Sequence, residues 1–147
     1  MELPTNDLLL KTVTHDDIYE VARMWEFEKG SIPLPEAQKA IEYMQNNHMQ
    51  NRTVYIYHLC LAIYEKGSNS IIGWCGLDGK PVPDNPERME IYYLIDSAYR
   101  NKGYATQCAS ALLEHAFEVA KIEENGDPKF FLDSYVYQKT KAMRLKS

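Results

Sequence analysis

The chain has 147 residues, 45% of them apolar and 25% charged, a balance that supports one folded domain and excludes disorder as its main state. Its formal charge of −5 offers no general electrostatic footprint for DNA, RNA or an anionic membrane, so an anionic ligand needs a local basic or backbone-donor site. Three cysteines, Cys60, Cys75 and Cys108, are an odd number without C-x-x-C spacing, which argues against a disulfide scaffold or zinc knuckle and for reduced thiols.

No basic region precedes Leu8-Leu9-Leu10, so the start does not read as a signal peptide. The longest mostly apolar stretch, residues 55–64, falls far short of the ~20 residues that a membrane span needs. The expectation is a cytoplasmic single domain over residues 1–147, with no membrane or nucleic-acid partner. His15, His48, His58 and His115 show no paired-ligand spacing, so no metal is expected.

In chain order, residues 8–14 read as a strand, and Thr14 or Asp16 can cap the helix that follows. Ile18, Val21, Ala22 and Trp25 repeat at helical spacing, with Glu20, Arg23 and Glu26 on the other face. A loop at 30–35 leads to Pro35, well suited to open a second helix whose stripe is Ala37, Ala40, Ile41 and Met44. That stripe fades into polar residues 45–48. Residues 55–64 and 71–77 then read as a hairpin around the turn at 66–70, and 88–95 as a third strand after a Pro/Gly-rich loop. From Ala105 to Ala120 the apolar residues repeat at i, i+3, i+4 and i+7, the widest helical stripe in the chain. Asn125-Gly126-Asp127-Pro128 stops it, 129–137 reads as a strand, and 140–147 can begin a last helix. The order β-α-α-β-β-β-α-β-α belongs to the α+β class: a mainly antiparallel sheet flanked by helices.

The stretch that carries chemistry is the end of the third strand and the start of the long helix. Arg100, Asn101, Lys102 and Gly103 place two cations and a glycine where unpaired backbone N–H groups and the positive helix end can receive a phosphate. A plain helix start with solvated cations fits the same spacing. A Walker-type phosphate loop and a dinucleotide fingerprint both fail, for want of G-K-[ST] and of the G-x-G start.

Arg100-Asn101-Lys102-Gly103-Tyr104-Ala105 matches the R/Q-x-x-G-x-G/A signature, and with the preceding Ile-Tyr-Tyr-Leu-Ile-Asp strand it resembles the GNAT superfamily of acyl-CoA N-acyltransferases. The wording from Tyr93 to Thr106 is most similar to the branch that includes the ribosomal-protein N-terminal acetyltransferases. The resemblance implies acetyl-CoA as co-substrate, its pyrophosphate on Arg100, Asn101, Lys102, Gly103, Tyr104, Ala105 and Thr106. It implies further that the pantetheine arm lies along Tyr93, Leu94 and Ile95, beside a bulge with a free N–H that polarises the thioester carbonyl. The implied activity moves an acetyl group to a primary amine, a protein N-terminus or a small amine, by direct attack on the thioester. The alternative is a catalytically poor GNAT-like module that binds CoA or a partner.

An attacking amine must be neutral, and with lysine amines near ~10.4 and N-termini near ~8 a base helps at neutral pH. Glu90 is the candidate base: it stands on the strand before the signature and shares a face with Tyr92 and Leu94, while Met89, Ile91 and Tyr93 share the other. A solvent-facing strand carboxylate is the plain alternative. Tyr99 and Tyr104 can pack on the cofactor or anchor the loop, and Asp133, Ser134 or Tyr135 can face the amine. At the end of the chain Lys139 replaces the family's asparagine, Lys146 stands where many members carry a thiolate-protonating tyrosine, and the G-F strand is missing. The expectation is therefore a sheet without its last strand pair, with a possible homo-oligomer through the C-terminal strand edge.

Overall fold

The computed structural model describes residues 1–26, 29–52, 56–79 and 90–123. Its elements are β1 (Glu2–Pro4), β2 (Leu8–Lys11), α1 (Ile18–Met24), α2 (Leu34–His48), β3 (His58–Glu65), β4 (Gly73–Asp78), β5 (Glu90–Ile95) and α3 (Tyr104–Glu123). Single 3-10 turns lie at His15–Asp17 and Ser97–Tyr99. The strands form one antiparallel meander in the order β1-β2-β3-β4-β5, flanked by helices, as the α+β reading expects. The expected stop at 125–128, the strand at 129–137, the last helix and the edge proposed for self-association lie outside the described residues.

Strand alternation gives the sheet two apolar faces. Leu59, Leu61 and Ile63 of β3 join Cys75, Leu77, Ile91 and Ile95 against Tyr104, Cys108, Leu112 and Ala116 of α3. Cys60, Ala62 and Tyr64 turn the other way with Trp74 and meet Val21 and Met24 of α1 and Ala37, Ile41 and Met44 of α2. The Trp74 indole donates to Met24 O at 2.9 Å and meets Trp25 edge-on at 5.4 Å.

Several boundaries depart from the sequence reading, each for a local reason. β1 is an added strand. It is only three residues long, with Pro4 paired to Leu9 at the sheet edge, the place where a proline's missing donor is tolerated. β2 stops at Lys11, because Thr14 caps the next turn: its hydroxyl accepts from Asp16 N at 3.3 Å while Asp17 accepts from Thr14 N at 2.8 Å. α2 runs on through the polar residues 45–48, since His48 lies one turn beyond Met44 and its Nε2 accepts the Cys60 amide at 3.0 Å. The polar face of α1 is anchored too. Glu20 and Arg23 form a bidentate pair at 2.8 Å and grip both the N–H and the C=O of Ile71.

Candidate functional site

The site is built at the junction of β5 and α3. β5 pairs with β4 in unbroken register from Asp78↔Glu90 to Gly73↔Ile95. No residue is inserted in this ladder, so the bulge that the resemblance implies is absent from it. Two glycines of β4 allow the close pairing: a Cβ at Gly73 would lie 2.1 Å from Leu94 O, and one at Gly76 would lie 1.8 Å from Leu59 O and 2.5 Å from the Tyr92 hydroxyl.

Beyond Ile95 the Asp96 side chain accepts from Ala98 N at 3.2 Å and holds the turn at Ser97–Tyr99. Arg100 then reaches back, its Nε donating to Ile95 O at 2.9 Å, so the guanidinium locks the loop to the strand end. Asn101 and Gly103 take left-handed backbone, with φ of 64° and 78°. Asparagine tolerates that region and glycine enters it freely. The first helical bond of α3 runs from Gln107 N to Gly103 O at 3.2 Å, so the amides of Tyr104, Ala105 and Thr106 precede any helical partner. Left-handed steps beside a helix start gather such donors into a concave anion seat.

A cavity of about 590 Å³ opens over this junction. Tyr93, Leu94 and Ile95 line it from the strand, and Arg100, Asn101, Gly103, Tyr104, Ala105 and Thr106 from the loop and helix. Nine of the ten residues singled out for the co-substrate thus share one hollow. Lys102 is the exception: its ammonium sits 5.5 Å from the Tyr99 ring centre and 6.0 Å from that of Tyr104, outside the lining. Tyr99, read from sequence only as a packing or anchoring residue, is a lining residue, brought there by the Asp96-capped turn.

Two contacts hold the helix start in place, and neither is signalled by sequence spacing. The Tyr104 hydroxyl donates to Glu65 at the end of β3 at 2.5 Å, and this bond to a carboxylate pushes the phenol up to about 12. Gln107 accepts from the Thr5 hydroxyl at 2.7 Å and from Asp7 N at 3.0 Å, and donates to the Asp7 carboxylate at 2.7 Å. Both sets of partners lie at the end of the sheet that carries Ile95: Glu65 closes β3, and Thr5 and Asp7 stand between β1 and β2.

Glu90 is half-buried at the start of β5 and shares the α1–α2 side of the sheet with Tyr92 and Leu94. Leu94 is 53% exposed there. Tyr92 is held differently: its ring lies over Gly76, its hydroxyl donates to Leu59 O at 3.3 Å, and burial raises its pKa strongly. A phenol so placed keeps its proton and is no base. Among the thiols, burial pushes Cys60 up to about 11 and raises Cys75 as well. Neither supplies a thiolate nucleophile near neutral pH.

The model of the GNAT acetyltransferase domain matches residues 7–127. No curated protein sequence matches the chain. Among solved structures, a candidate ribosomal-protein-serine acetyltransferase from Vibrio cholerae is similar at a TM-score of 0.65 and 16% identity, over 99% of this chain and 81% of that one. An acetyltransferase from Agrobacterium tumefaciens gives 0.58 and 20%, over 95% and 82%. RimL, an alpha-N-protein acetyltransferase solved with coenzyme A, gives 0.57 and 16%, over 78% and 67%. These likenesses show the shared fold, and the matched domain covers most of the sequence: the chain belongs to the GNAT acetyltransferase family.

Proposed function

We propose that this protein transfers an acetyl group from acetyl-CoA to a primary amine, a protein N-terminus or a small amine, by direct attack on the thioester. The carrying observation is the 590 Å³ cavity whose lining joins the end of β5 to the unpartnered amides of a helix start. Likeness to a candidate ribosomal-protein-serine acetyltransferase and to a ribosomal alpha-N-protein acetyltransferase supports a protein acceptor.

As the acyl-donor substrate, acetyl-CoA supplies an activated carbonyl and a thiol leaving group. The amides at 104–106 and the left-handed steps at Asn101 and Gly103 suit its pyrophosphate. Arg100 fixes the carbonyl end of β5, so that the strand and the phosphate seat keep a constant separation. Glu90 removes a proton from the incoming ammonium, leaving a neutral amine to attack. Cys60 and Cys75, whose thiols burial holds protonated, offer no thiolate to take up the acetyl group, which favours transfer in one displacement.

The test is thiol release from acetyl-CoA over a panel of N-terminal peptides and small amines, with the acetylated product identified by mass. Stoichiometric thiol and product are expected for at least one acceptor. Tight CoA binding with no transfer to any of them would move the reading to a CoA-binding module.

A further inference from the structure

Strand register brings three titratable side chains into one row on the face that carries Glu90. His58 of β3 is directly opposite Asp78 of β4, and Asp78 is directly opposite Glu90 of β5. Directly opposed residues point to the same face with Cβ atoms ~4.5–5.5 Å apart. All three are half-buried. Cys60, Ala62 and Trp74, which alternate in step with the row, pack toward α1 and α2, so the row lies on that side of the sheet.

The row also has a rigid wall. With no side chain at Gly76, the Tyr92 ring crosses β4 and stacks on the His58 imidazole at 6.0 Å, with an 18° angle between planes. Its hydroxyl is held by Leu59 O. Asn51 clamps the backbone at the start of β3: its Oδ1 accepts from Tyr57 N at 2.7 Å and from His58 N at 3.0 Å, and its Nδ2 donates to His58 O at 2.8 Å. The imidazole is therefore fixed from its ring face and from its own backbone.

We propose that Asp78 and His58 form a proton path that drains Glu90 during acetyl transfer; the proposal rests on the reading of Glu90 as the base. One proton leaves the acceptor ammonium for the Glu90 carboxylate, passes to the Asp78 carboxylate, then to the His58 imidazole, and from there to water. The row ends in its starting state. The attacking nitrogen loses its second proton as the thioester carbon–sulfur bond breaks, so that amide, free thiol and one solvent proton account for every atom. Asp78 and His58 touch neither substrate and are positioning residues that act through Glu90.

The experiment compares the parent with Asp78→Asn, His58→Gln and His58→Ala, using the best amine of the acceptor panel. The expected result is a roughly tenfold or larger loss of kcat in each variant with an unchanged KM for acetyl-CoA. It includes a larger solvent isotope effect on kcat in Asp78→Asn, and recovery of His58→Ala turnover by added imidazole. Parent-like kcat in all three variants would overturn the proton path, and so would a loss in His58→Ala that imidazole leaves untouched. A parent that acetylates no amine would instead overturn the reading of the site on which the path rests, which keeps the two failures apart.

Discussion

Replacing Gly103 by valine separates backbone strain from ligand exclusion, because the structure assigns the two to different states of the protein. In the free protein a Cβ at Gly103 meets nothing within 4 Å, so added volume is not the difficulty. The difficulty is φ of 78°, which costs an L-residue about 1–2 kcal/mol and a β-branched one the upper end of that range. The melting temperature should therefore fall by roughly 2–8 °C, with the fold retained. In the complex the same branch would stand in the cavity beside the amides proposed for the pyrophosphate. Acetyl-CoA affinity should drop by more than tenfold, about 1.4 kcal/mol or more. Calorimetric titration and thermal melts on Gly103→Val and Gly103→Ala measure both quantities. A valine variant that melts a few degrees lower but binds acetyl-CoA as tightly as the parent would refute the phosphate seat at this loop.

Glu90→Gln keeps shape and removes the base, so kcat near neutral pH should fall by roughly 10²-fold, and the deficit should shrink at higher pH where the amine is already neutral; a pH–rate profile that overlays the parent would remove Glu90 from the chemistry. Gly76→Ala drives a Cβ into Leu59 O and the Tyr92 ring, and should cost about 2–4 kcal/mol in urea unfolding, whereas Gly67→Ala, in open space but at positive φ, should cost about 1–2 kcal/mol. Trp74→Phe leaves Met24 O without its indole donor inside the core and should cost about 1–3 kcal/mol. His48 is held below its ordinary range by burial, and its neutral Nε2 accepts the Cys60 amide, so the unfolded chain takes up the proton first. Stability should thus be full above pH ~6.5 and fall as the pH drops below it. His48→Gln should flatten part of that slope in urea midpoints between pH 7 and 5, leaving the share of His115, which burial lowers in the same sense.

What sequence could show was whatever period or chain order encodes. The stripe from Ala105 to Ala116 placed α3 on the sheet, the alternation in 90–95 split β5 between two faces, and the signature from Arg100 to Ala105 marked the loop. Contacts between distant segments were not legible. Gln107 binding Thr5 and Asp7, Tyr104 binding Glu65 and Glu20 binding Ile71 each join residues separated by tens of positions, and no local pattern announces them. β1 escaped because three residues ending in proline carry too little alternation to read. Sequence spacing presents Arg100 only as a charge beside the donors, whereas one of its nitrogens is committed to the Ile95 carbonyl. Opposition of His58, Asp78 and Glu90 depends on register, which hydropathy fixes only in parity.

Register also explains why the glycines of β4 matter to a site they do not line. Successive residues of β5 serve opposite faces: Ile91, Tyr93 and Ile95 turn toward α3, while Glu90, Tyr92 and Leu94 turn toward α1 and α2. In the proposed reaction the acyl donor lies at the helix start and the proton leaves on the other face, so one strand must present each side chain to its own half of the chemistry. A slip of one residue would exchange the two sets, sending Glu90 toward the core and Ile91 toward the acceptor. Gly73 and Gly76 oppose such a slip by geometry. Gly73 sits where Leu94 O, and Gly76 where the Tyr92 ring, comes too close for any Cβ, and a shifted β5 would bring a side chain of β4 into those places. Gly76→Ala should therefore lose acetyl transfer more than acetyl-CoA binding, since Gly76 faces Tyr92 beside Glu90 on the ladder, while the phosphate seat hangs on Arg100, Gly103 and the α3 anchors. Equal losses of binding and turnover in Gly76→Ala would show that the ladder and the seat are one mechanical unit.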